Sequence, residues 1–267
     1  MHPRYALLGA FLVAGSVCAA RESLALPLLE SRAAILLEGM PSFSQRNKEF
    51  IGGGKTFCGP TAASNALMWL ADRGYPNLKP AAEDDSRAQK EMIQQLAGYM
   101  GTYREGTSLS SFKCGINAYL RAAGYSSKAW AYTRNSFVNS SSTPPDISLV
   151  NAVSAGNTVM WFSLGYYTFN EANKRYTRGS GHWVTLVGYG KNSEGQDDPD
   201  SYVIADPESP NAHKYVTLSL LNEGRLSNGR SSADAKGYFN LVASNGASAG
   251  RSLKYCIVES IQALTIE

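Results

Sequence analysis

The hydrophobic pattern of this chain changes its period partway along, and that change limits the folds open to it. Between residues 58 and 125 apolar residues recur at helical spacing, and those of the first helix are Ala63, Ala66, Leu67 and Leu70. From residue 157 onward the apolar residues form short runs rich in β-branched and aromatic side chains. Helices that precede strands, instead of alternating with them, are typical of α+β domains. We therefore predict an α+β fold with amino-terminal helices packed on a carboxyl-terminal antiparallel sheet.

Turn and cap residues divide this pattern into elements. Gly74 and Pro76 end the helix that begins at Cys58, while Ser108 and Gly124 suit the two ends of the third helix. The predicted helices cover 58–73, 86–100 and 108–125, and the predicted strands cover 157–169, 182–190, 201–207, 214–220 and 253–264.

Residues 1–19 have the pattern of a secretory signal peptide. A basic start, MHPR, precedes the apolar run YALLGAFLVAGSV, and small residues around Ala19 suit a cleavage site. The run is shorter than the roughly 20 residues that a spanning helix needs, so no stable membrane span is expected after cleavage. We expect export to the periplasm or the medium, with residues 20–40 as a leading segment (a linker or a short packing helix) and residues 41–267 as one domain. A lipid anchor on Cys18 is a competing interpretation.

Composition excludes some classes of partner. Hydrophobic residues make up 43% of the chain, which is ordinary for a globular domain with a buried core. The formal net charge of +3 is too small to indicate nucleic acid or an anionic membrane as a partner. The sequence leaves the oligomeric state open.

The chain has four cysteines, and removal of the signal peptide would leave three. An odd number in an oxidising compartment is typical of one disulfide and one free thiol. Cys114 and Cys256 lie in apolar patterns, where they either pair or are both buried as small hydrophobic residues. In both cases Cys58 is the thiol that remains.

Cys58 begins a helix in a setting that a structural cysteine does not need. In KTFCGPTAA, Pro60 fits the first helical turn, where its missing N–H would have no intrahelical partner. Gly59 is expected to allow a sharp turn and to leave room beside the sulfur. The positive end of a helix favours the thiolate, which is the nucleophilic form of cysteine. We interpret Cys58 as a nucleophile.

A histidine and a carboxylate are predicted at one edge of the sheet. His182 in GSGHWVTLVGYG is placed at the entrance of a strand, and Asp206 in YVIADPE at the end of the next strand. If the two strands are antiparallel neighbours, the start of the first lies beside the end of the second. The imidazole would then take the thiol proton while the carboxylate orients the ring. His213 is the alternative base.

Attack of a thiolate on a carbonyl creates an oxyanion, which needs hydrogen-bond donors. The backbone N–H of Cys58 is one candidate. The side-chain amide of Gln45 is the other, since Gln45 is the only glutamine between the predicted signal peptide and Cys58.

The blocks FSQ, FCGPTAASNALMWL, GHWVTLVGYG and VIADP resemble, in order and content, the C39-like branch of the papain-like cysteine peptidases. The resemblance covers about residues 41–207 and implies a papain-like fold. It implies that Cys58 is the nucleophile and that His182 is the general base and acid. Asp206 would orient the ring, and Gln45 would be an oxyanion donor. The implied activity is hydrolysis of peptide bonds in protein or peptide substrates through a thioester.

Gln45 departs from the spacing of that family. It lies 58 − 45 = 13 residues before Cys58, farther than the family's glutamine, so the intervening FIGGGKT is expected to bulge out. The family members that cut leader peptides are fused to a transporter, and this chain has no such domain, so that role is not transferred. We expect substrate choice to lie in residues 97–108 and 127–137.

Other kinds of site are not supported by the sequence. GGGKT has Glu49 where a phosphate-binding loop requires glycine, and the scattered cysteines and histidines lack metal-ligand spacing, so no cofactor is expected. The alternatives that stay open are another acyl-transfer enzyme on the same fold (a cell-wall amide hydrolase or a transpeptidase), a non-catalytic binding protein, and a toxin-like factor with one protein target.

Overall fold

The computed structural model describes residues 34–133, 144–154, 156–243 and 255–267. The predicted signal peptide, most of the leading segment and Cys18 lie outside these residues. Within them the chain forms three α-helices, α1 (Cys58–Ala71), α2 (Asp85–Met100) and α3 (Leu109–Ala122). It also forms ten strands there, β1 (Ile35–Leu36), β2 (Ser127–Thr133), β3 (Thr158–Asn170), β4 (Arg175–Lys191), β5 (Asp197–Ala205), β6 (Lys214–Leu220), β7 (Arg225–Ser227), β8 (Ser232–Asp234), β9 (Phe239–Ala243) and β10 (Tyr255–Ile266). The α+β class is confirmed.

The three predicted helices are present, and α3 has the caps that the sequence predicted. The hydroxyl of Ser108 accepts a hydrogen bond of 3.2 Å from the backbone N–H of Ser111 at the start of α3. Gly124, which follows α3, has a φ of +83°, a conformation that glycine adopts without strain. At α2 the cap is Asp84, whose carboxylate accepts from the N–H of Arg87 at 2.8 Å.

Six strands pair in a closed circuit. β3 pairs with β4, and the pairing continues through β5, β6, β9 and β10 back to β3, with every neighbour antiparallel. The chain therefore builds a barrel-like sheet in which four consecutive strands, β3 to β6, are closed into a circuit by β9 and β10. Ends of antiparallel neighbours alternate, so the end of β5 and the start of β6 lie at the same rim of this circuit.

The sheet differs from the prediction in three respects. β7 runs parallel to β4, so the sheet is mixed instead of purely antiparallel. Residues 34–40, the described end of the leading segment, contribute β1, which pairs with β4. Residues 127–133, expected to shape substrate choice, form β2, which pairs with the carboxyl-terminal half of β10. Residues 134–137 lie outside the described part.

His182 does not stand at the entrance of its strand, as predicted, but well inside it. β4 begins at Arg175, and the polar, glycine-rich residues before His182 pair with the second half of β3. The register shifts between Tyr166 and Tyr167, and the bulge falls on β4 at Gly179. A bulge re-aims the side chains next to it, and this one lies three residues before His182.

Helix α1 is the centre of the core, since all of its residues are buried. The carbonyl of Ala62 accepts two hydrogen bonds from the sheet, one from the Trp161 indole at 2.9 Å and one from the Thr185 hydroxyl at 2.7 Å. Trp161 lies on β3 and Thr185 on β4, so these bonds fix the first turn of α1 to two neighbouring strands. The amino terminus of the helix thereby has a defined position over the sheet.

Candidate active site

Cys58 is the first residue of α1, and the bonds to Ala62 place it against the sheet. Its side chain is buried, with 8% of the residue exposed. Its backbone N–H belongs to the first turn, where a helix offers no carbonyl partner. Both features, a fixed sulfur and a free N–H, suit a nucleophile that needs an oxyanion donor nearby.

Gly59 has a different role from the one predicted. It lies in the helix and does not adopt the positive φ of a sharp turn. A Cβ added there would lie 2.7 Å from the hydroxyl of Thr107, so the missing side chain lets the loop at 102–107 approach α1. The same loop is held from the sheet, because the indole N–H of Trp183 donates to the Thr107 carbonyl at 3.0 Å.

His182 and Asp206 meet as the predicted strand pairing requires. β4 and β5 are antiparallel, with Thr185 opposite Ala205, so Asp206 at the end of β5 lies beside the middle of β4. Nε2 of His182 is 2.7 Å from Oδ1 of Asp206. Both residues are buried, with exposed fractions of 4% and 5%.

The thiol of Cys58 completes the series. It lines the same cleft as His182, and its interaction with the ring contributes to the raised pKa of His182. Since Nε2 is engaged by Asp206, Nδ1 is the ring nitrogen left for the sulfur. The structure therefore brings together three of the predicted site residues, in the order thiol, imidazole, carboxylate.

The electrostatics of the site favour the charged forms of both His182 and Asp206. Burial lowers the pKa of His182, but the interactions with Asp206 and Cys58 raise it by a larger amount. Its pKa therefore lies above the ordinary histidine value. Burial likewise raises the pKa of Asp206, while bonds from His182 and Lys214 lower it below the usual carboxyl range. An imidazolium next to a carboxylate is thus the stable state at neutral pH.

Two further donors, neither of them predicted from the sequence, hold the carboxylate of Asp206. The backbone N–H of Glu208 donates to Oδ1 at 2.9 Å, and Nζ of Lys214 lies 2.6 Å from Oδ2. Lys214 opens β6 opposite Ile204, so the antiparallel register brings it beside the end of β5. Both strands were predicted, but their register was not, and register is the signal that would have identified Lys214.

Gln45 is buried at the wall of the same site. Its Nε2 lies 3.1 Å from the carbonyl oxygen of Gly54 and 3.2 Å from that of Lys55, while Oε1 is buried without a hydrogen-bond partner in the described structure. Gly52, Gly53 and Gly54 all have positive φ, and a Cβ on Gly54 would overlap the Gln45 carbonyl. The extra residues before Cys58 thus form a tight glycine loop that wraps around Gln45.

The segment that carries Gln45 is joined to the turn that follows Asp206. The backbone N–H of Gln45 donates to the Pro207 carbonyl at 2.9 Å, and the guanidinium of Arg46 lies 2.6 Å from the Glu208 carboxylate. Asn211 also donates to the Ser42 carbonyl at 3.1 Å. These bonds fix Gln45 relative to Asp206, although the two are far apart in sequence.

A cleft of about 340 Å³ opens onto these residues, and Cys58, His182 and Gln45 line it. Tyr166 also lines the cleft, with its ring centroid 6.0 Å from that of His182 and nearly parallel to it. Burial raises the pKa of Tyr166 well above the usual tyrosine value, so this ring stays neutral. A neutral aromatic ring beside His182 does not compete for its proton.

The other candidate residues lie elsewhere. His213 donates from Nε2 to the Met40 carbonyl at 2.9 Å and is not among the residues that line the cleft. Neither Cys114 nor Cys256 is in a disulfide, so the predicted alternative of a disulfide between them is not formed. Burial raises the pKa of Cys256 to about 12.

Among the described residues no group of three or more histidine, cysteine or acidic side chains is arranged to hold a metal ion. The part of the chain that the structure describes has no helix long and apolar enough to cross a membrane.

Comparison with known proteins identifies the family of this chain. The model of the Peptidase C39 like family matches residues 37–225, which include Cys58, His182 and Asp206. A search of curated proteins found no match. The family points to a peptidase of the cysteine type, and a peptidase acts on protein or peptide substrates. Since the match covers more than two thirds of the chain, this protein belongs to the Peptidase C39 like family.

Proposed function

We propose that this protein is a cysteine peptidase of papain-like fold that uses Cys58, His182 and Asp206 as nucleophile, general acid–base and orienting carboxylate. The observation that carries the proposal is the hydrogen bond between His182 and Asp206, with the Cys58 thiol beside the same ring at the wall of an open cleft. The papain-like assignment is supported by a central helix that carries the thiol and an antiparallel circuit that carries the other two groups.

The reaction follows from these positions. With its proton on His182, the Cys58 sulfur attacks the amide carbonyl carbon, a C–S bond forms, and the carbonyl π electrons move onto oxygen. The C–N bond then breaks as His182 gives its proton to the leaving amine, which leaves a thioester. Water, deprotonated by His182, attacks the thioester carbon, releases the carboxylic acid and restores the thiolate.

The oxyanion formed in each half-reaction needs donors where its charge develops. The N–H of Cys58 and one N–H of Gln45 are the proposed pair. Gly54 and Lys55 are consecutive, so their carbonyls can share one amide hydrogen of Gln45 in a three-centre bond. The second hydrogen is then the one that serves the oxyanion.

Gln45→Ala is expected to lower kcat by roughly 10²- to 10³-fold with little change in KM, because an oxyanion donor acts mainly in the transition state. Steady-state kinetics on a cleaved peptide is the measurement. Gln95→Ala, an exposed glutamine of α2, is the matched control and should keep full activity. A proportional rise in KM with kcat intact would assign Gln45 to substrate binding instead.

We also propose that the protein is exported, on the basis of the amino-terminal pattern. The intact mass of the secreted product should correspond to a chain that begins at Ala20, and a product that retains residues 1–19 would contradict this.

The proposed activity is tested by incubating the purified protein with a peptide library and, separately, with peptidoglycan. New peptide termini should form, and pretreatment with iodoacetamide should prevent them. Mass spectrometry should place the label on Cys58 and leave Cys256 unmodified, because Cys256 is buried and protonated at neutral pH. Cleavage or exchange of peptidoglycan amides alone would favour the cell-wall alternative. An unreactive Cys58 without any cleavage would favour a binding protein.

A further inference from the structure

The carboxylate of Asp206 has a cationic partner besides His182. Nζ of Lys214 lies 2.6 Å from Oδ2, while Oδ1 accepts from His182 Nε2 and from the Glu208 N–H. The Asp206 side chain is 8% exposed and that of Lys214 is 31% exposed. Both carboxylate oxygens are therefore engaged, each by a different set of donors.

This arrangement has two physical consequences. A carboxylate held at Oδ2 cannot rotate about its bond to Cβ, so Oδ1 stays directed at the His182 ring. The charge of Lys214 also offsets part of the charge of Asp206, so the imidazole and the nearby thiol face a carboxylate whose field is weakened. A bare carboxylate at the same place would disfavour the nearby thiolate, because like charges repel strongly in a buried site.

We propose that Lys214 is a positioning residue, which fixes the rotamer of Asp206 and, by offsetting part of its charge, sets the pH range in which the Cys58–His182 ion pair forms. The inference rests on the proposed function, because it assigns a role to the neighbour of a catalytic carboxylate. Lys214 itself does not reach the reacting atoms.

The other ionisable groups around the His182–Asp206 pair do not supply the positive charge that Lys214 supplies. The groups that face it are Cys58 from α1, Tyr166 from β3, Cys256 from β10 and Glu208 from the turn after β5. Burial keeps Tyr166 and Cys256 neutral at neutral pH. Glu208 forms an ion pair with Arg46. Among the described residues, Lys214 and His182 are the cations that contact the Asp206 carboxylate.

The test measures the rate of Cys58 alkylation by iodoacetamide between pH 4 and pH 9, which reports the thiolate without requiring turnover. Lys214→Met should move the acid midpoint of this profile upward by roughly one pH unit. Lys214→Arg should restore the wild-type midpoint. Lys214→Gln, which keeps a donor without the charge, should behave as Lys214→Met does and serves if the methionine variant does not fold. Lys191→Met, which breaks the exposed Lys191–Asp197 pair of 2.7 Å, is the matched control and should leave the profile unchanged.

A second background tests whether Lys214 acts through Asp206. In the Asp206→Asn variant, Lys214 has no anionic partner and its charge is screened by solvent. Adding Lys214→Met to this variant should therefore shift the midpoint far less than adding it to the wild type. Equal shifts in both backgrounds would overturn the proposal, as would superimposable profiles of the wild type and Lys214→Met. If Cys58 proves unreactive at every pH, the proposed function itself fails. A reactive Cys58 with an unmoved midpoint refutes only the role of Lys214.

Discussion

Cys58→Ala should reduce peptide hydrolysis by at least about 10⁴-fold, because the thioester cannot form without the sulfur. The fold should persist, since alanine is a strong helix former and the substitution removes a single atom from a helix held by its contacts with the sheet. We expect the free energy of unfolding to change by about 1 kcal/mol or less. The measurements are kcat/KM on a peptide from the library and the thermal midpoint by circular dichroism.

Cys114→Ala is the matched control for this variant. Cys114 is a half-buried cysteine of α3 that is not in a disulfide, and it lies outside the residues that line the cleft. It should hydrolyse peptides at the wild-type rate and still label at Cys58. Residual activity of Cys58→Ala near the wild-type level, or an equal loss in both variants, would remove the nucleophile assignment.

Local patterns predicted the elements of this fold better than their pairing. The three helices follow from spacing, caps and the glycines that end them, all of which act within a few residues. The closed circuit depends on β10 pairing with β3, about ninety residues earlier, and no local pattern specifies such a partner. β2 was missed for a related reason, since its place in the sheet depends on β10.

The first half of β4 shows where propensity is misleading. Residues 175–181 are polar and contain two glycines, which are typical of a loop. They are nevertheless in a strand because β3 and β7 both pair with them. A Cβ on Gly181 would lie 2.5 Å from the guanidinium of Arg178, so this glycine leaves space for the partly buried ion pair between Arg178 and Glu259.

The site was predictable to the extent that its members lie at the ends of elements. Cys58 opens a helix and Asp206 follows a strand. The proximity of Asp206 to His182 followed from one assumption about strand pairing, while the role of Cys58 beside them was implied by the family resemblance. Tyr166 lies inside β3 and Lys214 at the start of β6, and the register of these strands was not known. Tyrosine and lysine are common at such positions, so their residue types gave no signal. Gln45 was identified by its type and order, but its buried contacts depend on the glycine loop that follows it.

The pH dependence of hydrolysis should reflect the raised pKa of His182. Although burial lowers that pKa, the interactions with Asp206 and Cys58 raise it above the ordinary value of 6.5. The imidazolium therefore persists through neutrality and is lost as the pH rises through the raised pKa. Wild-type hydrolysis should accordingly decline on the alkaline side of neutrality instead of near pH 6.5.

His182→Ala should lower kcat by about 10⁴-fold, because the variant lacks both the base that takes the thiol proton and the acid that protonates the leaving amine. Alkylation of Cys58 at pH 7 should slow as well, since the thiolate loses its cationic partner. Asp206 keeps its bonds from Lys214 and the Glu208 N–H, so the variant should still fold. The measurements are steady-state kinetics and the alkylation rate.

His213→Ala separates this role from the alternative base. His213 contacts the Met40 carbonyl outside the cleft, so its removal should leave kcat and the alkylation rate at wild-type levels. Added imidazole should partly restore hydrolysis to His182→Ala, because the lost ring leaves space beside the sulfur in an open cleft. If His213→Ala were inactive and His182→Ala active, His182 could not be the group that exchanges a proton with the Cys58 sulfur. The hydrogen bond from His182 to Asp206 would then be structural, and the catalytic assignment of both residues would fail together.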